Sequence, residues 1–135
     1  MRRSQRWPIV WLLVAATPAL MNAAAAQSTE DSVVESFELS NAEALVTACT
    51  VPTDNPLYQT AKGFCLGYMT GAMQLYRTAA ASPNVKNFVC PGHVVSRAEM
   101  RDVFLEWAAA NPHQLSEPAI DSLLRSAVAK FPCQS

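Results

Sequence analysis

The sequence is poor in histidine and in strand-like alternation. Its two histidines, His93 and His113, each sit in a loop flanked by proline or glycine. It holds no H-E-x-x-H, no C-x-x-C-H haem attachment, no P-loop and no nucleophile elbow. Cys90-Pro91-Gly92-His93 has the C-x-x-H spacing that begins a zinc site, but a second ligand pair is missing. Catalysis, a bound metal and a cofactor are therefore not expected. No segment alternates apolar and polar residues for long enough to make a strand, which leaves an all-α chain.

Long apolar runs are lacking too, with one exception near the start. Trp7 to Met21 is apolar, but Pro8 and Pro18 break it and it is too short for a good membrane span. Arg2, Arg3 and Arg6 precede it and Ala23-Ala24-Ala25-Ala26 follows, so residues 1–26 read as an export signal cut before Gln27. Residues 27–38 are polar and acidic without clear periodicity, a flexible leader. Residues 39–135 are then the folded domain, and a cleaved chain of about 109 residues is enough for one small core. Loss of the signal leaves seven Lys and Arg against eleven Asp and Glu, a net charge near −4. That balance argues against nucleic acid as a partner, and a cleaved chain keeps no membrane anchor.

All four cysteines, Cys49, Cys65, Cys90 and Cys133, lie beyond the signal. An even count in an oxidising compartment reads as two disulfides. Three pairings are possible from the count alone.

Three of the four glycines fall in one stretch, Lys62 to Met73. At 100° per residue, Ala61, Cys65, Tyr68, Met69, Ala72 and Tyr76 share a helical face, the expected buried stripe. Gly63, Gly67 and Gly71 form a second stripe nearly opposite. Each helical glycine costs about 1 kcal/mol relative to alanine. Close approach of another backbone along that stripe would offset the cost, so residues 56–80 are expected to be a central helix packed on two sides. Met69 and Met73 read as core filling.

Three further helices flank it. Ser40-Asn41-Ala42-Glu43 reads as a capping box opening the first, with Ala42, Leu45, Val46 and Cys49 inward. Asn55-Pro56 starts the central helix. Ser96-Arg97-Ala98-Glu99 is a second capping box, with Met100, Val103, Phe104 and Trp107 inward and Glu99, Asp102 and Glu106 on a solvated side. Ser116 is expected to cap the last helix, with Ile120, Leu123, Leu124, Ala127 and Val128 inward and Phe131 at its end. The result is a small antiparallel four-helix domain. In that topology Cys49 lies near Cys65, and Cys90 leads toward the end where Pro132-Cys133 leaves the last helix. The favoured pairs are Cys49–Cys65 and Cys90–Cys133.

Phe64-Cys65-Leu66-Gly67-Tyr68-Met69-Thr70-Gly71 resembles the F-C-x-G-Y-(I/M)-x-G signature of the Rap/Tai immunity proteins. Cys90-Pro91 looks like their C-x-P step. Asn111-Pro112, Pro118-Ala119 and Ala127 to Phe131-Pro132-Cys133 are similar to their closing pattern. The match spans roughly Ala42 to Cys133. It implies a periplasmic all-helical protein that binds a peptidoglycan amidase effector of type VI secretion and occludes its active-site groove. It also implies a homodimer in some cases, with a loop and a helix contributing to the contact.

Two other readings compete: a periplasmic acid-stress chaperone of the Hde type, and a helical binding module for another envelope component. For a plug, the candidate is the longest connection, Ser82 to Val95. It is polar at Asn84, Lys86 and Asn87, apolar at Val85, Phe88 and Val89, and tethered at Cys90. A tethered loop loses less entropy on docking than a free one. The connection at His113 is the second choice.

Overall fold

In the computed structural model, which describes residues 18–134, the polar stretch expected to be an irregular leader is helical. Residues 1–17, most of the expected export signal, lie outside the described residues. Helix α1 spans Pro18–Ser36. Its end is held because Val33 and Ser36 are buried, and Val33 packs in a small cluster with Val51 and Ala61. Phe37, just beyond, stacks at 4.9 Å on Phe64. Val33, Ser36 and Phe37 stand at i, i+3 and i+4, one helical face. Two apolar positions in an acidic run were too few to show a period. Leu39 then takes a φ of 50°, a left-handed conformation that a β-carbon disfavours, as the chain turns into the domain.

The four helices expected from the sequence follow. Helix α2 spans Ala42–Cys49, and its cap is Asn41 rather than Ser40: the Asn41 side chain accepts the Ala44 N–H at 3.0 Å. The N–H groups of Ala42 and Glu43 donate instead to the Glu117 and Leu115 carbonyls at 2.8 and 3.0 Å. Two of the helix's orphan donors are thereby satisfied by another connection, without the expected box. Helix α3 is Tyr58–Ala80, preceded by a turn in which Asn55 Oδ1 accepts the Leu57 N–H at 2.8 Å. Helix α4, Arg97–Ala110, opens with the expected reciprocal box between Ser96 and Glu99. A 3-10 turn, Pro112–Gln114, leads to α5, Ala119–Lys130. Among the described residues the sole β-pairing is an isolated antiparallel bridge between Val89 and Pro132.

The core lies where α2, α3, α4 and α5 meet, around Leu45, Cys65, Met69, Met100, Phe104 and Leu123. Both disulfides pair as the topology favoured. Cys49–Cys65 joins α2 to α3, and Cys90–Cys133 ties the loop before α4 to the chain leaving α5.

Two faces differ from the sequence reading. Gly63, Gly67 and Gly71 are exposed, and a β-carbon placed on any of them would meet nothing within 4 Å. The second packed side of α3 is therefore open, because α2 and α4 both gather on the Cys65–Met69 side. Helix α5 is turned by about one residue. Ala119, Ser122, Leu123, Ser126 and Ala127 are buried, whereas Ile120 and Val128 are 37% and 36% exposed. Small side chains let α5 approach closely, and their hydroxyls are satisfied locally: Ser126 donates to the Leu123 carbonyl at 2.7 Å and Ser122 to that of Gln114 at 3.4 Å. Pro118 rather than Ser116 stands at the cap. The residue before a proline avoids the helical region, so α5 cannot begin earlier.

Candidate partner-binding site

Helix α3 ends where Pro83 cannot continue it, and Val85 closes a turn by donating to the Ser82 carbonyl at 3.1 Å. From there the loop is fastened at several points. The Tyr76 hydroxyl, on α3, accepts the backbone N–H groups of Phe88 at 3.0 Å and Val89 at 2.9 Å, and donates to Asn87 Oδ1. Its ring lies 4.8 Å from that of Phe88. Val89 is buried in the core. Cys90 donates its N–H to the Phe131 carbonyl at 2.8 Å, next to the Cys90–Cys133 bond. Downstream, His93 Nε2 meets Glu99 Oε1 at 2.8 Å, and its imidazole stands edge-on to Phe131. That hydrogen bond is the largest cause holding the Glu99 carboxyl below its ordinary range.

Between these ties the loop presents side chains outward. Val85 and Phe88 are 41% and 40% exposed, Val94 is 90% exposed, and Asn84, Lys86 and Asn87 are exposed. Such a loop offers apolar and polar groups on a frame already ordered, which lowers the entropy lost on binding. The sequence reading placed Tyr76 on the core stripe and missed that its hydroxyl organises the loop. The signal was a tyrosine where a phenylalanine would fill the same space, since a half-buried hydroxyl seeks a partner.

His113 is exposed in the 3-10 turn. That turn adjoins the start of α5 while the loop adjoins its end, and 12 helical residues separate them by about 18 Å. The structure does not bring His113 to the loop. Of the residues given structural roles, Tyr68 packs on the core, and burial raises its phenol above the ordinary value. Pro132 bridges to Val89. The C-x-x-H pair is committed elsewhere: Cys90 to its disulfide and His93 to Glu99. Glu99, expected on a solvated side, serves both that histidine and the helix cap.

The fold is a disulfide-stapled helical domain that carries a braced, partly apolar loop. The family model of the Rap1a immunity proteins matches residues 41–133, from the α2 cap to the last cysteine. The chain belongs to the Rap1a immunity protein family. Membership makes it an immunity protein, one that binds a secreted effector protein, in a family that is generally non-enzymatic. No curated protein and no solved structure matches the chain.

Proposed function

We propose that this protein is a periplasmic immunity protein that binds and occludes a peptidoglycan amidase effector of type VI secretion. The observation that carries the reading is the family match over residues 41–133, which includes the whole loop and both disulfides. The braced segment Ser82–Val95 supports occlusion as the mode. Its ties at Tyr76, Cys90 and His93 leave Val85, Lys86 and Phe88 facing outward, suited to entering an active-site cleft. Two disulfides suit an oxidising compartment, as do the basic start and the alanine tract of the export signal. Cleavage before Gln27 would divide α1 and leave Gln27–Ser36 on the domain.

Inhibition by occlusion is stoichiometric and involves no turnover. The test mixes the purified protein with peptidoglycan amidase effectors of type VI secretion and follows peptidoglycan hydrolysis. Activity should fall linearly with added protein and vanish at equivalence, and periplasmic rather than cytoplasmic expression should protect cells from the effector. Full activity of every such amidase in excess immunity protein would refute the reading.

A further inference from the structure

Beside the loop, a groove of about 270 Å³ opens between the second half of α3 and the segment after Cys90. Met73, Val95, Met100 and Phe131 supply its apolar lining. A smaller hollow of about 110 Å³ continues it toward the start of α4 and shares Met73, Val95 and Met100 with it. Arg77 lines both, and Arg97 lines the second. No Asp or Glu lines either. The ion pairs among the described residues are His93–Glu99, Arg101–Asp102 and Arg125–Asp121, so neither groove arginine has a carboxylate partner. In a chain with more carboxylates than cations, a largely apolar groove whose charged lining residues are all arginines is a specific local charge.

We propose that this groove docks a segment of the effector protein in which an apolar side chain stands beside a carboxylate. The apolar group lies against Met73, a partly exposed flexible side chain that adapts to the shape it meets, above a floor formed by the buried Met100. The carboxylate is taken by Arg77 or Arg97, whose planar guanidinium can hold it with two parallel hydrogen bonds. Each hollow is smaller than the roughly 300–1,000 Å³ of typical small-molecule sites, which suits one or two side chains rather than a whole ligand. Tyr76 and Asn87, which fasten the loop, also line the larger hollow, so a protein engaging the loop passes over the groove. The choice of a protein as occupant rests on the immunity reading above.

The test needs no effector. Isotope-labelled protein is titrated with the capped peptide Glu-Leu-Phe-Glu, with its Gln and Lys counterparts, and with octanoate. The acidic peptide should move the methyl resonances of Met73 and Met100 and bind about fivefold more tightly than the Gln peptide, the scale of two exposed ion pairs. That preference should disappear in the Arg77→Gln, Arg97→Gln double variant, in which two exposed side chains change and the melting temperature should hold. It should also disappear near about 1 M salt, where the Debye length falls to about 3 Å. Equal affinity for the three peptides, shifts centred elsewhere or absent, or a preference that survives the double variant would overturn the proposal. So would a groove that takes octanoate and not the acidic peptide. Failure of an amidase to bind the intact protein bears on the immunity reading alone.

Discussion

Tyr76 and Val89, thirteen residues apart, are joined by a hydrogen bond of 2.9 Å from the Val89 N–H to the tyrosine hydroxyl. That bond fixes the point where the exposed loop turns into the core. Replacing Tyr76 with Phe keeps the ring on Phe88 and removes the acceptor for two backbone donors. Leaving a buried donor unsatisfied costs about 1–3 kcal/mol. The expected outcome is a lower melting temperature with faster hydrogen exchange at the Phe88 and Val89 amides. Unchanged exchange there would mean that the disulfide alone holds the loop.

The two disulfides differ in the chain they close, with separations of 16 and 43 residues. In the chain-entropy model these correspond to about 3 and about 4 kcal/mol. Denaturant unfolding of the two double Cys→Ser variants should show both destabilised. Only loss of Cys90–Cys133 should also loosen the loop, seen as proteolysis between Ser82 and Val95.

The open glycine stripe gives a prediction of opposite sign to the one a packed stripe would give. With nothing within 4 Å of any added β-carbon, alanine at Gly63, Gly67 and Gly71 should stabilise α3 by about 1 kcal/mol each. Melting of the triple variant reads this. A fall in stability would show that the stripe is covered, and a gain accompanied by lost effector affinity would place it in the interface.

Helix α5 tests where its core face lies. Leu123 is fully buried and Val128 is 36% exposed. Leu123→Ala should cost about 2–5 kcal/mol, in the range of core truncations. Val128→Ala should stay within about 0.5 kcal/mol, as for surface changes. Comparable losses would restore the face expected from the sequence.

Glu99 supplies the pH dependence. Its folded carboxyl titrates below its ordinary value, first because of the His93 hydrogen bond. A depressed value stabilises the fold above the unfolded group's pKa, and that stabilisation is lost as pH falls through the lower, folded one. Glu99→Gln keeps a side chain able to complete the helix cap and removes the charge. Wild type should therefore exceed the variant in stability at neutral pH, and the two should converge as pH drops below about 4.3, the ordinary glutamate value. A difference independent of pH would mean that the charge is immaterial.

Much of the fold was legible because its signals are local. The Ser96–Glu99 box, the Asn111-Pro112 stop and the spacing of Met100, Val103 and Phe104 each mark a helix by its own residues, whereas Asn55-Pro56 marks only the turn before α3, which starts at Tyr58 rather than at Pro56. The disulfides were legible because short connections leave few ways to join helix ends. The open stripe on α3 and the rotation of α5 were not, because both depend on which neighbour arrives. Gly67 looks the same beside a helix or beside water, and Ser122 and Ser126 read as polar until their hydroxyls are seen bonded. In the loop, Val85, Phe88 and Val89 read alike as apolar, and composition did not say that only Val89 would be buried; the Tyr76 anchor links residues that no period connects.

The proposed function requires the braced loop to engage an amidase effector. Calorimetric titration of that amidase with the wild type and with a Val85→Ser, Lys86→Ala, Phe88→Ser variant tests it most directly. Val85 and Lys86 are exposed, and Phe88, 40% exposed, gives up its ring contact with Tyr76 while the backbone bonds to the Tyr76 hydroxyl remain, so the variant should keep the fold and both disulfides. Loss of a central apolar anchor together with its neighbours should weaken binding at least about a hundredfold, the scale of an interface hot spot, with the melting temperature of the variant near that of the wild type. Full affinity in this variant would contradict the account and move the contact away from the loop.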